Sequence, residues 1–117
     1  MTDQTSGKIT IAPQVLTTIV EQTALDTAGV LSLGPRPPHI KDVEGRRVEG
    51  EGVEAVVTNN TAYVAISVSA APDFNMLTLA ETLQQEISGN IEHILGMEVA
   101  RVDVYIGDVT VSEEAQS

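Results

Sequence analysis

Residues 73–106 read DFNMLTLAETLQQEISGNIEHILGMEVARVDVYI, and the fold is decided in this stretch. Asn75 suits a helix N-cap, because its side-chain oxygen can accept a free backbone N–H of the first turn. Phe74 and Leu79 stand one before and four after that cap, the spacing of a hydrophobic staple. Met76, Ala80, Leu83, Ile87, Ile91 and Ile94 follow at steps of three or four, which predicts one apolar stripe along a helix. Gly96 supplies a stop, since glycine enters the left-handed conformation at low cost, and Met97 is placed to fold back on Ile91. Val102, Val104 and Ile106 then alternate with Arg101, Asp103 and Tyr105, the period of a half-buried strand. This helix, stop and strand specify architecture and contain no reaction chemistry.

Upstream of it the chain carries a hairpin. Val53–Thr58 and Thr61–Ala70 flank Asn59-Asn60, and asparagine tolerates the positive φ that a two-residue turn needs. Such a turn sets the register: Val57 opposite Ala62, Ala55 opposite Val64, Val53 opposite Ile66. All six are apolar, so that face is the inner one. The reverse face pairs Val56 with Tyr63 and Glu54 with Ala65, and runs on through Ser67 and Ser69. Pro72 closes the second strand.

Nearer the N-terminus, Ile9 and Ile11 alternate with Lys8 and Thr10, predicting a short strand. Pro13 fits the first turn of a helix, where its missing N–H costs nothing. Leu16, Ile19, Val20 and Thr23 give that helix an inner face, Gly29 ends it, and Val30, Leu31 and Leu33 form a brief strand. From Gly34 to Gly52, three prolines followed by charge and glycine predict a long loop. The helix over 76–95 must carry the chain across the sheet, so the last strand and the 62–70 strand can run parallel, by a crossover of the usual right-handed sense. The expected fold is α+β: a two-layer sandwich of a mixed sheet of about five strands with two helices on one face, in the order β-α-β-β-β-α-β. The expected organisation is a disordered tail over 1–6, a single domain over 7–111 with the 34–52 loop inside it, and a C-terminal tail over 112–117.

Composition narrows the function. The 117 residues are 42% hydrophobic but only 3% aromatic, so the core is aliphatic, and a chain this long buries roughly two-thirds of its unfolded surface. Six Lys and Arg against 17 Asp and Glu give a net charge of −11, which repels nucleic-acid phosphates and anionic membrane surfaces alike. With no cysteine there is no disulfide, thiolate metal site or thiol nucleophile. No signal segment and no apolar run near the roughly 20 residues of a membrane span is present, which makes the cytoplasm the expected location.

The opening Gly7-Lys8-Ile9-Thr10-Ile11, then Ala28-Gly29-Val30, Gly52-Val53, Gln84-Gln85 and Gly96-Met97-Glu98-Val99, with Val102, Val104 and Ile106, together resemble the alkaline shock protein family of bacteria. The likeness spans about residues 7–111. It departs at Ala12, where the family favours a polar cap, at Thr27-Ala28, and in the proline-rich central loop. The resemblance implies a small cytoplasmic protein of the envelope stress response, with no catalytic motif and no cofactor. It further implies action through protein contacts, with partners anchored in the membrane and the protein recruited to them there.

Candidate chemistry is sparse. His39 lies in the proline loop, and His93 in the last turn of a helix, where the helix dipole accounts for it. Asp42, Glu44, Glu49 and Glu51 match no calcium-loop spacing and read as a solvated acidic run. Gly45, Gly50 and Gly52 form no phosphate cradle among these carboxylates. The outer sheet face is the better candidate for a contact surface. Val56, Tyr63, Ala65, Arg101, Asp103 and Tyr105 share it, and Tyr and Arg are enriched at protein interfaces. The first expectation is therefore a non-enzymatic adaptor or scaffold binding a protein partner or a second copy of itself. The alternative is an accessory subunit of a metabolic enzyme, docking through Gly34–Gly52.

Overall fold

A computed structural model describes residues 7, 8 and 10–107. The two tails expected at 1–6 and 112–117, and Ile9, lie outside the described residues.

Helix α1 (Pro13–Leu25) starts on Pro at its first position, after an Ala12 whose side chain cannot cap it. Strand β1 (Val30–Leu33) follows a turn through Gly29, whose φ of 99° suits glycine and over which the Phe74 ring packs. Strands β2 (Arg46–Gly50), β3 (Val53–Thr58) and β4 (Thr61–Ala70) come next, then helix α2 (Met76–Leu95) and strand β5 (Glu98–Gly107). Among the described residues the order is thus α-β-β-β-β-α-β. Two expectations are corrected here. Thr10 and Ile11 are not in a strand, because the chain turns at once into α1. The 34–52 segment is not all loop, because Arg46–Gly50 pairs antiparallel with β3 through a two-residue turn in which Gly52 takes φ 67°.

The Asn59-Asn60 turn has φ of 52° and 61°, and the β3–β4 register is the expected one, Val57 with Ala62 through Val53 with Ile66. Strand β4 is the spine. On one flank it pairs with β3 over its first half and with β1 over its last three residues, both antiparallel. On the other flank β5 runs parallel to it, with an irregularity at Ala62/Tyr63. The sheet is therefore mixed, with β2 and β5 at its edges.

Both helices cover one face. Leu16, Val20 and Ala24 of α1 meet Leu79, Leu83, Ile87 and Ile91 of α2 over Ala55, Val64, Ile66, Val68 and Val102 in one aliphatic core. Asn75 caps α2 by accepting the Thr78 N–H at 2.9 Å, and Gly96 ends it at φ 70°. The stripe read along α2 shifts at its ends. Met76 and Ile94 are exposed, and the buried line is Leu79, Leu83, Ile87, Ile91, whose uniform steps of four advance about 40° around the helix each time, so the packed face winds slowly across α2.

Candidate functional site

The outer face of the sheet departs most from expectation. Sequence alternation leaves it open to solvent, whereas the chain's own 35–45 segment lies across it as a strap. Ile40 and Val43 press on Val56, Ala65 and Tyr63 in a second, smaller apolar cluster. Val56 and Ala65 are consequently 0% and 1% exposed. Prolines at 35, 37 and 38 suit this role, holding the strap extended without needing strand partners.

Besides an exposed Arg36–Glu49 ion pair at 2.8 Å, the strap is fastened at two points. Glu54, on the outer side of β3 and 1% exposed, is the first. Its Oε1 accepts from His39 Nδ1 at 2.7 Å, which requires the proton on that nitrogen. Its Oε2 accepts from the buried Ile40 N–H at 3.1 Å and from Arg47 Nη1. Arg47 in turn donates from Nη2 to the Ile40 carbonyl at 3.0 Å, so one guanidinium clasps both the carboxylate and the strap backbone. Burial pushes the Glu54 carboxyl up, but the bonds from His39, Ile40 N–H and Arg47 outweigh it and hold the pKa below the ordinary glutamate value.

Arg101 on β5 is the second fastening. It grips Asp42 bidentately, at 2.7 and 2.9 Å, while its Nε lies 3.2 Å from Asp103 and its guanidinium stands 5.7 Å from the centre of the Tyr63 ring. Hydrogen bonding from Arg101 lowers the Asp42 pKa to about 2 and raises that of the guanidinium.

The six residues assigned to this face thus have different fates. Val56 and Ala65 are sealed beneath the strap and offer no surface. Tyr63, Arg101 and Asp103 are half-buried at its margin, and Tyr105 stands exposed beyond it. The two histidines are not brought together, since His39 is on the strap and His93 is on α2 across the sheet. Nor do the loop carboxylates gather, because Asp42 is held by Arg101, Glu49 by Arg36 at 2.8 Å, and the Glu51 backbone N–H by Glu21. Sequence reading missed Glu54, Ile40, Val43 and Arg47. Their signal was a lone carboxylate inside the apolar run Val53–Val57, together with isolated aliphatics in a proline-rich segment.

Ligand atoms of His39, Glu49 and Glu54 lie within 4.8 Å of one another, close enough to bracket a cation. Each carboxylate already has an arginine, however, and the His39 Nδ1 proton is committed to Glu54. Two negative charges are matched by two positive ones before any ion arrives. The cluster is built as a fastening.

Over residues 1–111 the sequence matches a family described by its cell envelope-related function. The chain belongs to the alkaline shock protein 23 family. No curated protein sequence matches it. Among solved structures this family member is similar to a MamM CTD in a nickel form, at 11% identity and TM-score 0.54, covering 80% of this chain and 95% of that one. A MamM CTD in a cadmium form gives 12% identity and TM-score 0.54, covering 80% and 93%. A further MamM CTD variant gives 11% identity and TM-score 0.55, covering 81% and 96%. At such identities the likeness is one of fold. No helix among the described residues is long and apolar enough to cross a membrane.

Proposed function

We propose that this alkaline shock protein family member is a non-enzymatic adaptor or scaffold of the cell-envelope stress response, acting through protein–protein contacts. One observation carries the reading: the polar groups of the outer face are committed to holding the strap. Glu54 binds His39 and Arg47, and Glu54 and Arg47 bind the Ile40 backbone, so the one buried carboxylate of this face serves the strap. What the strap presents outward is a pinned ridge of Pro35, Arg36, Pro38, His39 and Lys41, and Tyr105 is exposed on β5. A fixed ridge loses little conformational entropy on docking, which favours a contact surface. The partner is a membrane-anchored protein, to which a cytoplasmic, acidic chain is recruited without entering lipid, or a second copy of the chain.

The test is capture of solubilised envelope proteins at low salt by the wild-type chain and by Tyr105→Ala, alongside sedimentation over a range of concentrations. The expected result is a membrane protein retained by wild type and lost with Tyr105→Ala, or concentration-dependent assembly with the same sensitivity. A strictly monomeric protein that retains nothing would sink the adaptor reading. Retention of a soluble enzyme, abolished when the strap is replaced by a glycine–serine linker, would replace it with the accessory-subunit alternative.

A further inference from the structure

The face of the sheet turned toward the helices contains one anomaly. Its residues are aliphatic or glycine along β2–β5, except that Arg46, opposite Val57 at the start of β2, is on that side. Among the described strands it is the single ionisable side chain so placed. Arg36, Arg47 and Arg101 each pair with a carboxylate, whereas Arg46 makes no ion pair among the described residues. An arginine with no ion pair among the described residues, on a chain of net charge −11, is a local reversal of sign.

Arg46 lines an open cleft of about 310 Å³ where the two-layer sandwich gapes, between the start of α1 and the end of α2. Leu16 and Val48 form its floor and are themselves core residues, while Val57, Leu95 and Met97 make up the walls. A cleft this size falls at the lower end of the roughly 300–1,000 Å³ range of small-molecule sites, room for one aliphatic chain and not two. Its chemistry is an apolar trough with a single guanidinium, whose donor fork matches a carboxylate or phosphate bidentately.

We infer that this cleft binds a single-chain amphipathic anion, with its aliphatic tail over Leu16 and Val48 and its oxyanion head on Arg46. The inference goes beyond the adaptor reading and stands or falls separately from it, since the cleft is on the opposite side of the sheet from the strap. The test is titration of the full chain with decanoate, decyl phosphate and the neutral decyl glucoside, followed by backbone amide chemical shifts. Either anion should bind with shifts centred on Leu16, Val48 and Val57, and whichever binds more tightly identifies the head group. Charge-assisted hydrogen bonds of this kind make Arg46→Gln about ten- to a hundredfold weaker, with Arg46→Lys between it and wild type and the Arg36→Gln control unchanged. Arg46 is solvent-exposed, so Arg46→Gln should keep the wild-type melting temperature. Equal binding of the glucoside, an unaltered affinity in Arg46→Gln, shifts scattered away from the cleft, or binding only of an acetylated Leu-Asp peptide would each overturn the proposal.

Discussion

Glu54→Ala is the most informative perturbation of this molecule. The substitution removes the acceptor for three donors at once and leaves the strap attached through Arg36, Asp42, the Ile40 carbonyl and the Ile40–Val43 contacts. Deleting one partner of a fully buried charge pair costs about 3–5 kcal/mol. Here the orphaned partners are only partly buried, with Arg47 and His39 side chains 38% and 50% exposed, so water recovers much of their share. The Ile40 N–H is buried and keeps its desolvation penalty, about 1–3 kcal/mol. The sum, about 2–3 kcal/mol, corresponds to a fall in melting temperature of roughly 10–20 °C for a domain of this size. Glu54→Gln keeps one accepting oxygen but turns an N–H₂ toward donors, for a smaller loss of about 1–2 kcal/mol. Urea unfolding measures both, and hydrogen exchange localises the effect, with the Ile40 amide losing more protection than Val64 and Ile66 in β4, which fall only by the drop in global stability. If Glu54→Ala stays within about 0.5 kcal/mol of wild type, the range of an ordinary surface change, the strap is held by something other than this carboxylate.

Acid should loosen the strap first. Both Glu54 and Asp42 titrate below their unfolded values, so their stabilisation is complete above the unfolded carboxylate pKa of about 4.5 and is lost as pH falls through the folded values, toward about 2 for Asp42. A stability profile from pH 6 to 2 should slope less steeply in Glu54→Gln; parallel profiles contradict the assignment. Asp42→Ala removes a more exposed anchor and should cost clearly less than Glu54→Ala, with 1 M NaCl reproducing part of its effect in wild type. At the hairpin, Asn60 combines φ 61° with a donated bond to the Gly96 carbonyl. Asn60→Ala should therefore lose about 2 kcal/mol, and Asn60→Gly, freed of the backbone strain, less than about 1 kcal/mol. Equal losses measured by denaturation would show that the positive φ is not what matters there.

Legibility from sequence followed the number of independent signals at each element. The β3–β4 register could be read residue by residue because turn chemistry and alternation agree. The bounds of α2 were readable because Asn75 and Gly96 mark them chemically, though the exposed Met76 and Ile94 show that a stripe of apolar residues outruns the face that packs. Strand β2 was not readable, because Arg-Arg-Val-Glu-Gly has one aliphatic residue among charges, and its pairing is imposed by β3 and by the close approach of Gly50 to Thr17 on α1. The strap was hidden for a related reason. Alternation reports which residues face away from the helices, and it cannot tell a wet face from one covered by an irregular segment elsewhere in the chain. Glu54 carried the missing information, since a carboxylate in mid-hairpin is unremarkable in solvent and demanding once enclosed.

Glu54 also constrains how this scaffold can be rebuilt. Shortening or exchanging the 35–45 segment without altering position 54 would take away His39 and the Ile40 N–H and leave the carboxylate to Arg47 alone beside newly bared Val56 and Ala65, a combination that invites insolubility. Loop grafts onto this domain should therefore be made in pairs, with an uncharged pair of residues at 47 and 54 accompanying any insert that brings neither an imidazole nor a free amide to meet the carboxylate.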